Sequence, residues 1–307
     1  MEEILRLFPT PIKEKLTKQM ENRWQDLLEI RLRMFKPIEL NFTHQVEWLT
    51  ESIDDADRNY ILNQLSEHSL YRYEEELREG YITIEGGHRV GLAGKVTLAD
   101  NRVKSLKFIT SFNIRIAHEK IGVAQGIVRY LNENTDYLHT LIVGAPQSGK
   151  TTVLRDIARL MGNGIENVPA KKVAIIDERS EIAASKNGIP QFDVGMRTDV
   201  MDACPKSSGM MMMLRSMSPE VILVDEIGKE IDVQALLDVF HAGVTIVCTA
   251  HGSSIEEVKK RRSLKHLFHE DIFKRYVFLS FQQAKGFQYE IYDEHGNRLM
   301  KMLEKER

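Results

Sequence analysis

One octapeptide of the 307-residue chain reads Gly144-Ala145-Pro146-Gln147-Ser148-Gly149-Lys150-Thr151 and matches the pattern G-x-x-x-x-G-K-[ST]. The apolar run 138–143 precedes it and predicts a buried strand, and a helical pattern begins near Lys150. A strand, a glycine-rich loop and a helix in this order are typical of a phosphate-binding loop. We call residues 144–151 the P-loop and add the next residue, Thr152, to the predicted nucleotide site.

Each part of the P-loop has a physical role in binding a nucleoside triphosphate. Glycines let backbone N–H groups converge on the phosphates, and the helix N-terminus adds positive potential. Lys150 is expected to reach the β- and γ-phosphates, and the Thr151 hydroxyl to ligate Mg²⁺. A glycine-rich turn that binds nothing is the alternative, but the strand-loop-helix context favours a site for ATP and Mg²⁺.

A second element follows further along the chain, where four apolar residues, 221–224, end in Asp225-Glu226. This pattern places a carboxylate at the carboxyl end of a buried strand, which is the edge where open α/β sheets bind ligands. Asp225 is expected to hold Mg²⁺ through water, and Glu226 to polarise the attacking water. The alternative is that the pair only begins the next loop.

Two further strand ends are less specific. The run 173–176 leads into Asp177-Glu178-Arg179-Ser180-Glu181, and either Glu178 or Glu181 could position water, although a solvated loop fits nearly as well. The run 244–250 leads into His251, which could sense the γ-phosphate beside Thr249. A helix-capping or packing role for His251 is the alternative.

The hydrophobic pattern changes near residue 120. Before it, short helices and alternating strands predict a smaller α/β domain over 1–120, with a hairpin at 81–98 and a helix that ends at Gly80. After it, continuously apolar runs alternate with helical segments over 121–307, which predicts a mostly parallel sheet covered by helices on both faces.

Composition excludes several classes of protein. Lys and Arg total 42 against 45 Asp and Glu, so the net charge of −3 argues against a nucleic-acid-binding protein. Two cysteines exclude a disulfide scaffold and a four-cysteine zinc site. No apolar run is long enough to cross a bilayer, and the start of the chain lacks a signal-peptide pattern. We therefore expect a cytoplasmic protein that reaches a membrane only through partners.

One basic run, Lys259-Lys260-Arg261-Arg262, stands out in this balanced composition. Its simplest interpretation is the solvated end of a helix that begins near Ser254, where cations suit the helix dipole. Binding of phosphate or of an acidic partner is the alternative. The Met210–Met213 run is expected to pack in a core helix rather than to form a docking surface.

Several segments together resemble the stage III sporulation protein AA family of endospore-forming bacteria, which is related to the ATPases of type II secretion and type IV pili. The resemblance covers nearly the whole chain and rests on the P-loop and on Ile-Asp-Glu-Arg-Ser-Glu-Ile at 176–182, Met-Arg-Thr-Asp-Val at 196–200, Cys-Pro-Lys at 204–206, Met-Met-Met-Leu-Arg-Ser-Met-Ser-Pro at 211–219, Asp-Glu at 225–226 and Thr-Ala-His-Gly at 249–252.

This resemblance implies a RecA-like core, a separate N-terminal domain, a hexamer, and work in the mother cell at the channel that joins it to the forespore. Residues 177–181 would correspond to the acidic box of secretion ATPases, and His251 to their histidine box. The strand end is Asp-Glu here, whereas pilus ATPases usually carry Gly-Glu. The division of labour between Glu226 and Glu178 or Glu181 therefore stays open.

In ring ATPases an arginine of one subunit often completes the neighbour's site. Arg197 and Arg215 are the first candidates here and Arg179 is the third, while a surface or interface salt bridge is the alternative for each. The leading hypothesis is a Mg²⁺-dependent ATPase that energises assembly or operation of a sporulation channel through membrane-embedded partners. A nucleic-acid-dependent RecA-like ATPase and a nucleotide-gated scaffold are the alternatives.

Overall fold

The structure, a computed structural model, describes residues 1–67, 77, 80–99, 102–282 and 286–303. Contacts between Cα atoms divide the chain into two compact units, Met1–Glu119 and Lys120–Arg307. The first unit has one cluster of buried apolar side chains, and the second has two, one on each side of its large sheet.

The first unit combines short helices with an antiparallel sheet. Its helices are α1 (Glu2–Leu5), α2 (Thr10–Met20) and α3 (Asp55–Leu65), and its strands are β1 (Leu27–Arg33), β2 (Pro37–Phe42), β3 (Val46–Ser52), β4 (Tyr81–Thr83), β5 (Arg89–Ala99) and β6 (Arg102–Arg115). The strand order is β3-β2-β1-β6-β5-β4. The predicted hairpin is β4–β5, whereas the helix predicted to end at Gly80 falls almost wholly on residues outside the described ranges.

The second unit is built on a mixed sheet whose central strands are parallel. Its order is β11-β10-β12-β13-β9-β14-β15-β16. The strands are β9 (Thr140–Gly144), β10 (Val173–Asp177), β11 (Thr198–Asp202), β12 (Val221–Val224), β13 (Thr245–His251), β14 (Arg275–Gln282), β15 (Gly286–Asp293) and β16 (Arg298–Leu303), with β7 (Asn132–Glu133) and β8 (Asp136–Tyr137) forming a separate small hairpin. At the other end of the sheet, β15 runs antiparallel to both of its neighbours, β14 and β16.

Helices cover both faces of this sheet. They are α4 (Gln125–Val128), α5 (Lys150–Asn163), α6 (Lys206–Ser216), α7 (Glu230–His241), α8 (Ile255–Lys259) and α9 (Lys265–His269), with a 3-10 turn, η1 (Arg262–Leu264), before α9. Successive residues of β12 point to opposite sides: Val221 and Leu223 pack in the core under α5, while Ile222 and Val224 pack in the core under α6 and α7. Burial on both sides explains the continuously apolar strands of the sequence and confirms the predicted α/β fold class.

The parallel strands bring distant residues to one edge of the sheet. The register of β10 and β12 pairs Ile176 with Val224. Asp177, the last residue of β10, and Asp225, the residue after β12, therefore lie side by side at the ends of neighbouring strands. His251 pairs with Gly144 across β13 and β9. The P-loop and both acidic strand ends therefore lie along the carboxyl edge, where open α/β sheets bind ligands.

Two details differ from the sequence-based predictions. The helix predicted over 254–262 ends at Lys259, because Arg261 adopts an extended backbone that separates it from η1. Strands β11 and β16 were not predicted, because each contains charged residues in place of a continuous apolar run. Over the residues that the structure describes, no helix combines the length and the apolar character needed to span a membrane.

Candidate nucleotide-binding site

The P-loop backbone has a shape that only glycine permits at two positions. A Cβ atom on Gly144 would lie 2.8 Å from the carbonyl oxygen of Leu279, and Gly149 has φ +88° at the start of α5. Ser148 Oγ is buried and has no hydrogen-bond partner among the described residues. An unsatisfied buried hydroxyl is costly unless a ligand or water completes it, so the loop has the features of a binding site.

Lys150 lies in the first turn of α5 with its side chain folded back over the loop. Its Nζ donates to the carbonyl oxygens of Gly144 (3.0 Å) and Ala145 (2.8 Å), and the residue is 5% exposed. Burial lowers the pKa of Lys150, while the negative charges of Glu226 and Asp225 act in the opposite direction. A cation held at the mouth of an amide-lined loop is suited to binding phosphate oxygens.

Asp225 is held between two threonine hydroxyls. Thr151 Oγ1 donates to Asp225 Oδ2 at 2.6 Å, and Thr249 Oγ1 donates to Asp225 Oδ1. Thr249 is fully buried and also accepts a hydrogen bond from the Glu226 amide at 2.8 Å. These bonds orient the carboxylate toward the first turn of the P-loop helix.

Glu226 adopts a left-handed backbone with φ +50°, which is unusual for a residue with a side chain. The Thr249 hydroxyl stabilises this turn by accepting the Glu226 N–H. The Glu226 carboxylate is turned toward solvent and lies 3.5 Å from the guanidinium of Arg179, which follows the neighbouring strand. Left-handed residues of this kind concentrate at functional sites, where surrounding contacts hold them in place.

The two acidic strand ends share one small hollow of 20 Å³. Its lining contains every carboxylate that the sequence marks at this edge, namely Asp177, Glu178, Glu181, Asp225 and Glu226, together with Arg179 and Lys206. A volume of this size holds about one water molecule. The structure therefore brings Glu178, Glu181 and Glu226 around a space suited to a single water.

Glu178 is paired with Lys206 at the start of α6. Burial opposes ionisation of Glu178, but the hydrogen bond and the charge of Lys206 outweigh it and lower the pKa of the carboxyl group. A carboxylate neutralised in this way is a weaker base than one that faces solvent. Glu181 is exposed, and its backbone carbonyl accepts a hydrogen bond from buried Arg155.

Asp177 stabilises the backbone of the acidic segment rather than facing the hollow with an exposed carboxylate. Its carboxylate is 2% exposed and accepts hydrogen bonds from the amides of Glu181, Ile182 and Ala183 at 2.8, 2.9 and 2.9 Å. Burial raises the pKa of Asp177 to about 6, although the amide donors act in the opposite direction. Asp177 thus shapes the loop that carries Glu178 and Glu181.

His251 ends β13 directly beside the first P-loop residue. The Gly252 amide donates to the Gly144 carbonyl at 3.2 Å, which joins the two loops, and the His251 side chain is exposed. The sequence singled out His251 as a γ-phosphate sensor, and the structure places it at the P-loop edge. Its neighbour Thr249, noted in the sequence only as adjacent, carries the more extensive hydrogen bonding.

The three candidate arginines lie in different places. Arg179 is at the carboxyl edge beside Glu226, whereas Arg215 is near the end of α6, where it donates to the carbonyl of Met211 at 3.0 Å. Arg197 precedes β11 and donates to the Ala170 carbonyl, at the amino edge of the sheet and so opposite the P-loop. The structure does not bring Arg197 to the nucleotide loop of its own chain.

Sequence reasoning missed the contributions of Lys206 and Arg155. Lys206 was visible only as part of a Cys-Pro-Lys segment, and Arg155 lies within the P-loop helix at a position that periodicity assigns to packing. Arg155 is buried and donates to the carbonyls of Glu181 and Ile182, with Phe192 4.1 Å from its guanidinium. In the sequence, an arginine at an apolar position of an amphipathic helix is the signal that could have indicated the contact between Arg155 and the loop 181–182.

The oxygen donors at the P-loop fit a magnesium ion. Among the residues that the structure describes, no cluster of three or more His, Cys, Asp or Glu could hold a metal alone. Mg²⁺ is usually bound through one or two protein oxygens together with substrate phosphates and water. The adjacent oxygens of Thr151 and Asp225, 2.6 Å apart, match that requirement.

Comparison with known proteins agrees with this architecture. The family described as Sporulation stage III, protein AA matches residues 1–299. The chain is 49% identical to Stage III sporulation protein AA of Bacillus subtilis over 299 residues, covering 97% of each chain.

The fold is similar to that of two solved ATPase structures. The ATPase DotB of Legionella pneumophila has a TM-score of 0.61 at 14% identity, covering 94% of this chain and 82% of that one. The pilus retraction motor PilT with bound ADP has a TM-score of 0.60 at 13% identity, covering 91% and 82%. The family match over residues 1–299 and the 49% identity to the Bacillus subtilis protein establish that the chain belongs to the stage III sporulation protein AA family.

Proposed function

We propose that this protein is a Mg²⁺-dependent ATPase that binds ATP at the P-loop and hydrolyses it at the carboxyl edge of the sheet. The observation that carries the proposal is the hydrogen bond between Thr151 and Asp225, which sets a phosphate-binding loop against a strand-end carboxylate. The same edge holds Lys150 and Glu226. These are the side-chain types that phosphoryl transfer to water requires.

Lys150 binds the terminal phosphates in this proposal. Its Nζ exchanges two neutral carbonyl acceptors, on Gly144 and Ala145, for charged phosphate oxygens. Hydrogen bonds between ionised partners are roughly twice as strong as neutral ones. The amides of residues 145–152 and the hydroxyl of Ser148 complete the cradle, and the positive end of α5 favours the negative charge.

Thr151 and Asp225 hold Mg²⁺, the first directly and the second through water. When bound, the ion neutralises charge on the phosphates as a Lewis acid. Thr249 keeps Asp225 oriented for this role, because its hydroxyl donates to Asp225 Oδ1 and no solvent competes for that hydrogen bond.

Glu226 is our first candidate to orient and polarise the attacking water. It lines the one-water hollow, and its 3.5 Å pair with Arg179 is open to solvent, which screens the guanidinium charge more than the less exposed pair of Glu178 and Lys206 is screened. Glu178 is less suited because Lys206 neutralises it, and Glu181 is the second candidate. His251, beside Gly144, would sense whether the γ-phosphate is present.

We further propose that residues 121–307 form the ATPase domain, that residues 1–120 form a separate domain, and that subunits assemble into a hexamer. The position of Arg197 at the sheet edge opposite its own P-loop suits donation to a neighbouring subunit. In the cell, the protein would work in the mother-cell cytoplasm and energise assembly or operation of the channel to the forespore. Its partners there would be membrane-embedded channel proteins.

Measuring molecular size and phosphate release together tests this function. The purified protein is chromatographed with and without ATP·Mg²⁺, and turnover is assayed in the same samples. We expect a larger species with nucleotide and hydrolysis that EDTA abolishes, whereas a monomer without turnover would contradict the proposal. Parallel assays with single-stranded DNA and RNA test the nucleic-acid-dependent alternative, for which severalfold stimulation at physiological salt is expected.

Mixing inactive subunits tests the role of Arg197. Arg197→Ala subunits keep the P-loop, and Lys150→Ala subunits keep the arginine, so a mixed ring contains some complete sites if the arginine acts on the neighbour. We expect the mixture to regain measurable hydrolysis. Arg215→Ala, treated in the same way, is the matched comparison, and no recovery for either variant would argue against both assignments.

A further inference from the structure

A large groove lies between α7 and the segment that contains η1 and α9. Its volume is 790 Å³. On the α7 wall, partly buried Leu237 contributes most of the apolar surface, beside almost fully buried Val233 and exposed Gln234. Four basic or titratable side chains line the opposite wall: Arg262, Lys265, His266 and His269. Glu230 is the one acidic side chain among the described lining residues. The groove thus has an apolar patch within a mixed wall on one side and a basic wall on the other.

The two permanent cations of the groove wall, Arg262 and Lys265, have no carboxylate partner among the described residues. Arg262 and Lys265 are exposed, and neither has a carboxylate within 4.0 Å among the described residues. Elsewhere in the basic run, Arg261 pairs with Glu257 at 2.6 Å and Lys259 lies 4.8 Å from the centre of the Tyr276 ring. Within the run, Arg262 is thus the residue that lines the groove, whereas Arg261 and Lys259 contact other side chains and Lys260 is exposed outside it.

We propose that this groove docks an acidic segment of a partner protein that also carries apolar side chains. Carboxylates of such a segment would meet Arg262 and Lys265, and its apolar side chains would cover Val233 and Leu237. Arginine is well suited to this because its guanidinium binds carboxylates through two parallel hydrogen bonds. The docking site does not depend on nucleotide hydrolysis.

A protein segment fits the groove better than nucleic acid or a membrane does. No Phe, Tyr or Trp is present among its described lining residues, so the imidazoles of His266 and His269 are the only rings there on which bases could stack. The basic wall faces a concave space with an apolar side, whereas a lipid surface favours clustered cations on an exposed face.

Peptide binding measured by fluorescence polarisation tests the proposal on the full-length chain. The probe is a fluorescein-labelled peptide that combines Asp and Glu with two leucines, and the control peptide replaces each acid by its amide. We expect the acidic peptide to bind at least tenfold more tightly than the amide peptide and to weaken as salt is raised. Failure of the wild-type protein to distinguish the two peptides would overturn the proposal.

Two charge reversals in the same segment then locate the site. Lys265 lines the groove, whereas Lys260 is an exposed lysine nearby in the sequence that does not line it. Lys265→Glu should weaken acidic-peptide binding at least tenfold, and Lys260→Glu less than twofold, with unchanged circular dichroism and melting temperature for both. Equal losses would indicate diffuse attraction and contradict a specific groove.

Two further probes separate the classes of partner. Vesicles containing 30 mol% phosphatidylglycerol and a fluorescent single-stranded DNA are tested against wild type and Lys265→Glu. We expect neither probe to compete with the acidic peptide at physiological salt. The contrary result is that vesicles or DNA bind, lose affinity with Lys265→Glu, and the acidic peptide does not bind. That result would identify the ligand as a membrane or a nucleic acid and overturn the proposal.

Discussion

Thr151 Oγ1 donates a hydrogen bond of 2.6 Å to Asp225 Oδ2, across 74 residues of sequence. The bond joins the first turn of the P-loop helix to the end of a strand on which every residue is buried. Thr249 holds the other oxygen of the same carboxylate from the next strand. The candidate site is therefore assembled from three separate strand ends whose positions the parallel sheet determines.

Lys150→Ala should remove nucleotide binding and leave the fold intact. The variant loses the ammonium group that contacts the P-loop carbonyls, while the loop amides and apolar core remain. We expect ATP affinity to fall at least tenfold, which is about 1.4 kcal/mol of binding free energy, and hydrolysis to disappear. Lys172→Ala, at the other edge of the sheet, is the control. Unchanged affinity in Lys150→Ala would contradict the proposed site.

Asp225→Asn should alter the dependence of hydrolysis on Mg²⁺. Asparagine has nearly the same shape and can still accept the Thr151 hydrogen bond, but it lacks the negative charge that attracts a divalent cation. We expect the Mg²⁺ concentration for half-maximal activity to rise at least fivefold, with affinity for ATP without metal little changed. Titration of Mg²⁺ at saturating ATP measures the effect. An unchanged midpoint would place the ion elsewhere.

Replacing the three glutamates of the hollow separately should identify the one that activates water. Glu226→Gln is expected to lower turnover roughly a hundredfold, in the range of general-base contributions, and to retain ATP. Glu181→Gln and Glu178→Gln should have smaller effects, and Glu178→Gln should also destabilise the contact with Lys206. Single-turnover hydrolysis and nucleotide retention are the measurements. If Glu226→Gln changes neither, the nucleotide-gated scaffold becomes the better interpretation.

Thr249 should act through the position of Asp225 rather than by contact with substrate. Thr249→Val removes the hydroxyl that Asp225 and the Glu226 amide both use, at a site with no solvent to replace it. We expect the kcat for ATP hydrolysis to fall at least tenfold with a smaller change in KM. Thr249→Ser keeps the hydroxyl and should restore most of the activity. Loss of activity in both variants would indicate a packing effect instead.

Asp177 should make stability depend on pH. Burial raises its pKa from the ordinary value of 3.8 to about 6, so the folded state favours the protonated acid. The resulting stabilisation is complete below the unfolded pKa and is lost as the pH rises through 6. Relative to Asp177→Asn, whose side chain does not titrate, the wild type should lose about 1.4 kcal/mol of unfolding free energy between pH 5 and pH 7.5.

Urea unfolding of both proteins at several pH values measures this difference. Subtracting the variant removes the contributions of other titrating groups and of any constant loss of hydrogen bonds from Glu181, Ile182 and Ala183. A difference that does not vary with pH would mean that the amide donors keep Asp177 ionised throughout.

Much of the second unit was predictable because its signals are local. The P-loop pattern, the helix that follows it and the apolar runs at 173–176 and 221–224 lie where the sequence placed them. Edge strands were harder to predict. Strand β11 carries Asp199 and Asp202 because an edge strand pairs on one side only and need not be continuously apolar.

The amino-acid sequence alone determined the family of the chain, the phosphate-binding loop and the parallel character of the sheet, since each depends on residues that are close together in the chain. Only the tertiary structure decided that Thr249 holds Asp225, that Lys206 neutralises Glu178 and that unpaired cations line a groove beside α7. Strand register and helix packing create these contacts between distant residues, and no periodicity within a single segment specifies them.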